Sequence, residues 1–148
     1  MSQSECLKNI RHAALNLLAC REHSELELCR KLIKKGFEEI YIRQLINDLT
    51  QENLLNQHRF VENYIHYRRR KGFGPIKIQA ELFERGISEE LIDHHLKIKD
   101  NAWFSEVRAV WQKHFKNKMP EDFKIRAKQM RFLYSRGFTI EQIESVFD

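Results

Sequence analysis

Two prolines and five glycines in 148 residues are too few for a sheet protein with many tight turns, and they argue for long helices with short joints. Three cysteines, Cys6, Cys20 and Cys29, form no CxxC pair and leave an odd thiol, a pattern that fits a reducing cytoplasm. Cys20 and Cys29 fall on apolar helix faces, where a reduced thiol packs as a small hydrophobe. The longest apolar run, Ala13 to Cys20, is interrupted by Asn16 and falls short of a membrane span. No basic region followed by an apolar core opens the chain, so a cytoplasmic location is expected.

The usual marks of catalysis are missing too. There is no phosphate-binding GxxxxGK[ST] and no HExxH, and the pair Gly72 and Gly74 lacks the third glycine of a dinucleotide fingerprint. His94 and His95 are neighbours whose side chains diverge by about 100° on a helix, unlike a metal pair. Glu90 and His94 share a helix face, which suits a surface contact. Neither an enzyme, a bound metal nor a cofactor is expected.

Charge is plentiful but uneven. Residues 1–58 balance 8 basic against 8 acidic groups, whereas residues 59–85 carry 7 against 3 and residues 101–137 carry 9 against 3. Residues 86–100 and 138–148 are net acidic. Two separate positive segments of this kind attract polyanions or acidic protein surfaces.

A repeat underlies the pattern. Leu32-Ile-Lys-Lys-Gly36-Phe37, Leu82-Phe-Glu-Arg-Gly86-Ile87 and Leu133-Tyr-Ser-Arg-Gly137-Phe138 align on glycines 50 and 51 residues apart. Lys35, Arg85 and Arg136 suit the negative end of a helix, and the glycine beyond each can take the left-handed conformation that closes it. Ser88 and Thr139 stand at N-cap positions, Thr139 with Gln142 as a capping box, and Ser24 with Glu27 forms another. Ile42/Ile46, Ile92/Leu96 and Ile143/Phe147 then share one face of a following helix.

Upstream of each glycine the pattern predicts two further helices. Gly74-Pro75 opens one, proline being well placed in a first turn, and Met119-Pro120-Glu121-Asp122 is expected to open a longer one. The first helices of the units fall at about 5–21, 57–71 and 101–116, with apolar stripes Ala14/Leu17/Leu18, Phe60/Tyr64/Tyr67 and Trp103/Val107/Val110/Trp111. The reading is all-α: nine helices in three tandem three-helix repeats, 1–55, 56–100 and 101–148, packed as an elongated or curved rod. The period excludes tetratricopeptide and ankyrin arrays.

Two basic clusters are candidate binding sites. The first is Arg68, Arg69, Arg70 and Lys71 with Lys77 on the next helix, and with Tyr64 and Tyr67 a turn before. Four consecutive cations wrap a helix end, so part of the run serves the helix dipole; rings beside cations suit phosphate and base contacts or an acidic groove. The second is Lys113, Lys116 and Lys118 with Lys124, Arg126, Lys128 and Arg131, of which Lys124, Lys128 and Arg131 lie along one helix face. Trp103 and Trp111 are read as core or repeat-interface residues.

The run Tyr64-Ile-His-Tyr-Arg68-Arg-Arg-Lys71-Gly72-Phe-Gly74-Pro75-Ile-Lys77-Ile-Gln-Ala-Glu81-Leu82 resembles the central signature of the RecX regulatory proteins. Arg131-Phe132-Leu133-Tyr-Ser-Arg136-Gly137-Phe138-Thr139 is similar to their C-terminal repeat, and Ala13-Ala14-Leu15 with Leu32 to Phe37 to their first. The resemblance implies a cytoplasmic modulator of the RecA recombinase. Such a protein binds the RecA filament on DNA, lies along its groove, and opposes filament growth, strand exchange, ATP hydrolysis and coprotease activity. It further implies contact with DNA, single-stranded, either directly or through the filament; a monomer is expected. Replacing Arg68, Arg69, Arg70 and Lys71 by Ala is expected to weaken inhibition without unfolding the chain. Two other readings stay open: a helical protein that binds nucleic acid without a recombinase, and a helical scaffold with no filament partner.

Overall fold

The computed structural model describes residues 2–148. Among them are nine helices and no strand, three to each repeat. The first repeat holds α1 (Gln3–Cys20), α2 (Glu25–Lys34) and α3 (Glu39–Gln51), and the second α4 (Gln57–Arg70), α5 (Pro75–Glu84) and α6 (Glu89–His95). The third holds α7 (Ala102–Phe115), α8 (Phe123–Ser135) and α9 (Ile140–Glu144). No helix among the described residues is long and apolar enough to cross a membrane.

The helix ends lie where the capping chemistry puts them. Ser24 Oγ accepts from the Glu27 N–H and Glu27 returns the bond to the Ser24 N–H, both at 3.1 Å. Thr139 and Gln142 form the same box at 3.1 and 3.0 Å, and Ser88 Oγ accepts from the Leu91 N–H at 3.2 Å. Each such bond satisfies a first-turn donor that the helix itself leaves open. Gly36, Gly86 and Gly137 close their helices at φ of +96°, +78° and +98°.

Three expectations need correction. The helix expected to open at Met119-Pro120 begins at Phe123, because Lys116 and Asn117 at positive φ end α7 and the chain spends the next residues on the joint. Asp122 is the N-cap, accepting from the Ile125 N–H at 2.8 Å. The buried stripe of α4 is Phe60, Val61 and Ile65, while Tyr67 is 54% exposed. Cys20 is exposed rather than packed, its Sγ 3.5 Å from the Asn16 carbonyl in the last turn of α1.

The chain divides into two compact units that cut through the second repeat: residues up to Asn63 with Phe83–Leu91, and Tyr64–Leu82 with Ile92–Asp148. In the first, Ile10, Ala14, Leu28, Leu32, Leu45 and Leu49 form the centre of the core where α1, α2 and α3 meet. In the second, Trp103, Val107 and Trp111 of α7 are buried together with Leu133 of α8, Phe138 of the turn that follows it and Ile143 of α9, the Trp103 and Phe138 ring centroids 6.4 Å apart. Each buried leucine, isoleucine, valine or phenylalanine among them contributes about 1.5–3 kcal/mol. Both tryptophans belong to the core, and their polar edges are met: Trp103 Nε1 donates to the Lys97 carbonyl and Trp111 Nε1 to Gln129 Oε1, each at 2.8 Å.

Neighbouring repeats are joined through the glycine turns. In the first unit, a Cβ on Gly86 would stand 2.9 Å from Leu26 Cβ. In the second, a Cβ on Gly137 would stand 2.3 Å from Lys77 Cβ, and the Gly137 carbonyl accepts from the Ile76 N–H at 2.9 Å. The start of α5 therefore docks on the turn between α8 and α9, which fixes the end of α4 relative to α7.

Candidate partner-binding groove

Successive residues of a helix point about 100° apart, and the last turn of α4 shows the consequence. Arg68 turns toward α5, where Nε and Nη2 reach the two Glu81 oxygens at 2.8 and 2.7 Å. The Tyr64 hydroxyl donates to the same carboxylate at 3.0 Å, and the Arg68 guanidinium lies 3.8 Å from the Phe73 ring centroid. Arg69 turns toward α7: Nε donates to Glu106 Oε1 at 2.9 Å, Nη2 donates to Oε2, and the guanidinium lies 4.0 Å over Trp103. The hydrogen bonds to Glu106 raise the Arg69 pKa further, against burial and with help from the charges of Glu106 and Asp100. Planar forks of this kind match a carboxylate with two parallel bonds.

Arg70 and Lys71, the next two residues, are exposed. Lys71 Nζ lies 5.6 Å from the Tyr67 ring, and Lys77 Nζ lies 5.3 Å from Phe73. The four-residue run is thus divided by helix geometry: two cations pin α4 to its neighbours and two are presented to solvent.

The presented cations open onto a groove of about 430 Å³ bounded by the end of α4, the following joint, α7 and α8. Lys113 of α7 lines it beside Arg70 and Lys71, so one residue of the second basic cluster joins the first. The others do not. Lys116, Lys124 and Arg131 are exposed outside the groove, and Lys128 lines a separate concavity with Lys118, Met119 and Ile125.

Among the groove residues not singled out as contacts from the sequence, Phe73, His114, Phe132 and Arg136 form one cluster of rings and charge. The Arg136 guanidinium lies 4.9 Å from the Phe73 centroid and 5.1 Å from that of Phe132. His114 stacks on Phe132 with centroids 3.7 Å apart and planes 14° from parallel. Arg136 was legible only as a cation at a helix end. Its counterpart Arg85 meets the Glu27 carboxylate at 3.6 Å, whereas among the described residues no carboxylate pairs with Arg136.

Comparison with known proteins agrees with the repeat. Models of the first, second and third three-helix domains of RecX match residues 11–49, 56–96 and 104–147. The regulatory protein RecX of Ectopseudomonas mendocina is 40% identical over 134 residues, covering 90% of this chain and 89% of that protein. The regulatory protein RecX of Pseudomonas fluorescens Pf-5 is 40% identical over 139 residues, covering 94% and 90%. The crystal structure of RecX from Lactobacillus salivarius shares the fold with a TM-score of 0.80 at 20% identity, over 97% of this chain and 95% of that one. With all three domains matched in order, and relatives of that identity spanning most of its length, the chain belongs to the RecX family of regulatory proteins.

Proposed function

We propose that the chain binds the RecA recombinase filament on DNA and limits its assembly, and with it ATP hydrolysis, strand exchange and coprotease activity. The observation that carries this reading is the gathering of Arg70, Lys71 and Lys113 at one groove, with no carboxylate paired to any of them among the described residues. Cations so placed attract either the acidic surface of a filament or the phosphates of its DNA. A chain of tandem repeats can engage several protomers of a polymer, each contact adding avidity. The protein acts by occupying the filament rather than by catalysis, as a cytoplasmic monomer without a cofactor. The exposed face of α8 with Lys124, Lys128 and Arg131, and Lys116 beside it, supplies a second contact.

The test is ATP hydrolysis by the cognate RecA on single-stranded DNA, with the protein titrated in after filaments have formed. A fall at amounts well below one per RecA protomer is expected. Undiminished hydrolysis at saturating protein overturns the reading. If the protein instead binds bare DNA, with affinity falling steeply with salt, the direct nucleic-acid reading replaces it; the cation and ring cluster at Arg136 and His114 favours that second reading.

A further inference from the structure

The groove holds five cations, Arg69, Arg70, Lys71, Lys113 and Arg136, against one carboxylate, Glu106, which Arg69 already occupies. Arg136 is the cation the fold prepares most. It is partly buried, lies against the rings of Phe73 and Phe132, and has no carboxylate partner among the described residues. Ring contacts hold a guanidinium without using its N–H fork, so the fork stays free for an oxyanion. Beside it stands a flat platform: His114, exposed, stacked on Phe132.

We propose that this groove is a nucleotide site. A phosphate sits on the Arg136 guanidinium with Arg70, Lys71 and Lys113 around it, and the attached base extends the His114–Phe132 stack. Stacking tolerates any base, because every base has a flat π-face. Carboxylates of an acidic peptide would answer the cations but leave the exposed imidazole unmatched. The groove volume of about 430 Å³ suits a ligand of nucleotide size. This inference rests on the reading of the groove as the face that meets the filament, and names what that face grips. The same chemistry is offered by a single strand and by a free nucleoside triphosphate.

The experiment uses the full chain without recombinase and a short fluorescent oligothymidylate, followed by anisotropy at fixed salt. Arg136→Gln is expected to weaken binding about tenfold, the loss of one strong phosphate contact, with helix content and Tm checked in parallel. Should that variant fail to fold, the exposed pair Arg70→Gln/Lys113→Gln carries the same expectation. His114→Ala is expected to weaken the oligonucleotide several-fold and to leave an abasic strand, which has phosphates but no bases, unaffected. Lys124→Ala/Lys128→Ala removes two charges outside the groove and should cost less than Arg136→Gln alone. Displacement of the strand by ATP assigns the site to a mononucleotide; displacement only by a longer strand assigns it to DNA. If the groove variants bind no worse than Lys124→Ala/Lys128→Ala, or if His114→Ala affects both strands alike, the proposal is overturned. Filament ATPase assays on the same variants separate the two readings: groove-independent oligonucleotide binding with lost inhibition sinks the nucleotide site alone. Groove-dependent binding by a protein that leaves RecA hydrolysis unchanged sinks the filament reading alone.

Discussion

Gly74 lies backbone to backbone against Gly137: its N–H donates to the Arg136 carbonyl at 2.7 Å, and a Cβ on it would stand 2.5 Å from the Gly137 carbonyl carbon. This contact seats the start of α5 on the turn between α8 and α9, and so sets where the end of α4 and its cations stand.

The repeat glycines are therefore unequal, although the sequence aligns them as equals. Gly36 has φ +96° and nothing within 4 Å of where a Cβ would stand, so Gly36→Ala costs only the left-handed strain, about 1–2 kcal/mol. Gly137 has φ +98° and Lys77 backbone at 2.6 Å, so Gly137→Ala adds overpacking of about 1–3 kcal/mol. Denaturant unfolding followed by circular dichroism should rank Gly137→Ala clearly below Gly36→Ala in midpoint. Equal losses would mean that the close approach is not maintained in solution.

The split within Arg68–Lys71 predicts two classes of variant. Glu81→Gln and Glu106→Gln each remove the carboxylate that answers a partly buried guanidinium, and should cost about 1–3 kcal/mol of stability. Arg70→Ala/Lys71→Ala touches neither pin and should stay within about 0.5 kcal/mol of the parent, while weakening the inhibition of RecA proposed above. Replacing all four cations together, expected from the sequence alone to spare the fold, removes both pins and should lower Tm. Thermal unfolding of these variants beside the ATPase assay separates the classes; a stable quadruple variant would refute the division.

His23 makes the fold sensitive to pH. Its side chain is 1% exposed; Nδ1–H donates to the Arg21 carbonyl at 3.0 Å and Nε2 accepts from Lys31 Nζ at 2.8 Å. Burial pushes the imidazole below its ordinary value of 6.5; the bond to Arg21 opposes this, the charges of Arg21 and Lys31 add to it, and Glu27 opposes it. The unfolded chain thus takes up a proton near pH 6.5 that the folded chain resists. Stability is full above that pH and falls as pH drops through it, by at most about 1.4 kcal/mol per pH unit. Unfolding free energies from about pH 7.5 to 5.5 should show this slope in the parent and lose it in His23→Gln.

What the sequence made legible was local and periodic. Ser24 with Glu27 and Thr139 with Gln142 act through neighbours three residues away, and the three glycines close their helices locally, so spacing alone identifies these roles; what Gly86 and Gly137 pack against it does not show. The groove is different in kind. Arg136, His114 and Phe132 come to Arg70 and Lys71 only through the docking of one turn on another, a contact between residues far apart in the chain such as Lys77 and Gly137. Helical spacing also misjudged α4: Tyr67 fits the apolar stripe by count, yet Val61 and Ile65 are the ones that turn inward. The displaced start of α8 has a similar origin, since two left-handed residues at Lys116 and Asn117, neither a glycine, carry no strong sequence mark.

Gln129 holds the joint between α7 and α8 from inside. It is 4% exposed; its Oε1 accepts from Trp111 Nε1 at 2.8 Å and its Nε2 donates to the Lys118 carbonyl at 3.1 Å. Gln129→Leu fills similar space but strands a buried indole N–H and a joint carbonyl, which should cost about 1–3 kcal/mol. Trp111→Phe removes the donor and part of the packing. If the indole–amide bond contributes as drawn, the double variant should lose less than the sum of the two, since the second change no longer breaks a bond. Strict additivity would show that the bond adds nothing to stability. The joint should also loosen in Gln129→Leu: faster amide exchange across residues 116–122 with unchanged exchange in α1 to α3 is the expected pattern, because those helices form a separate compact unit.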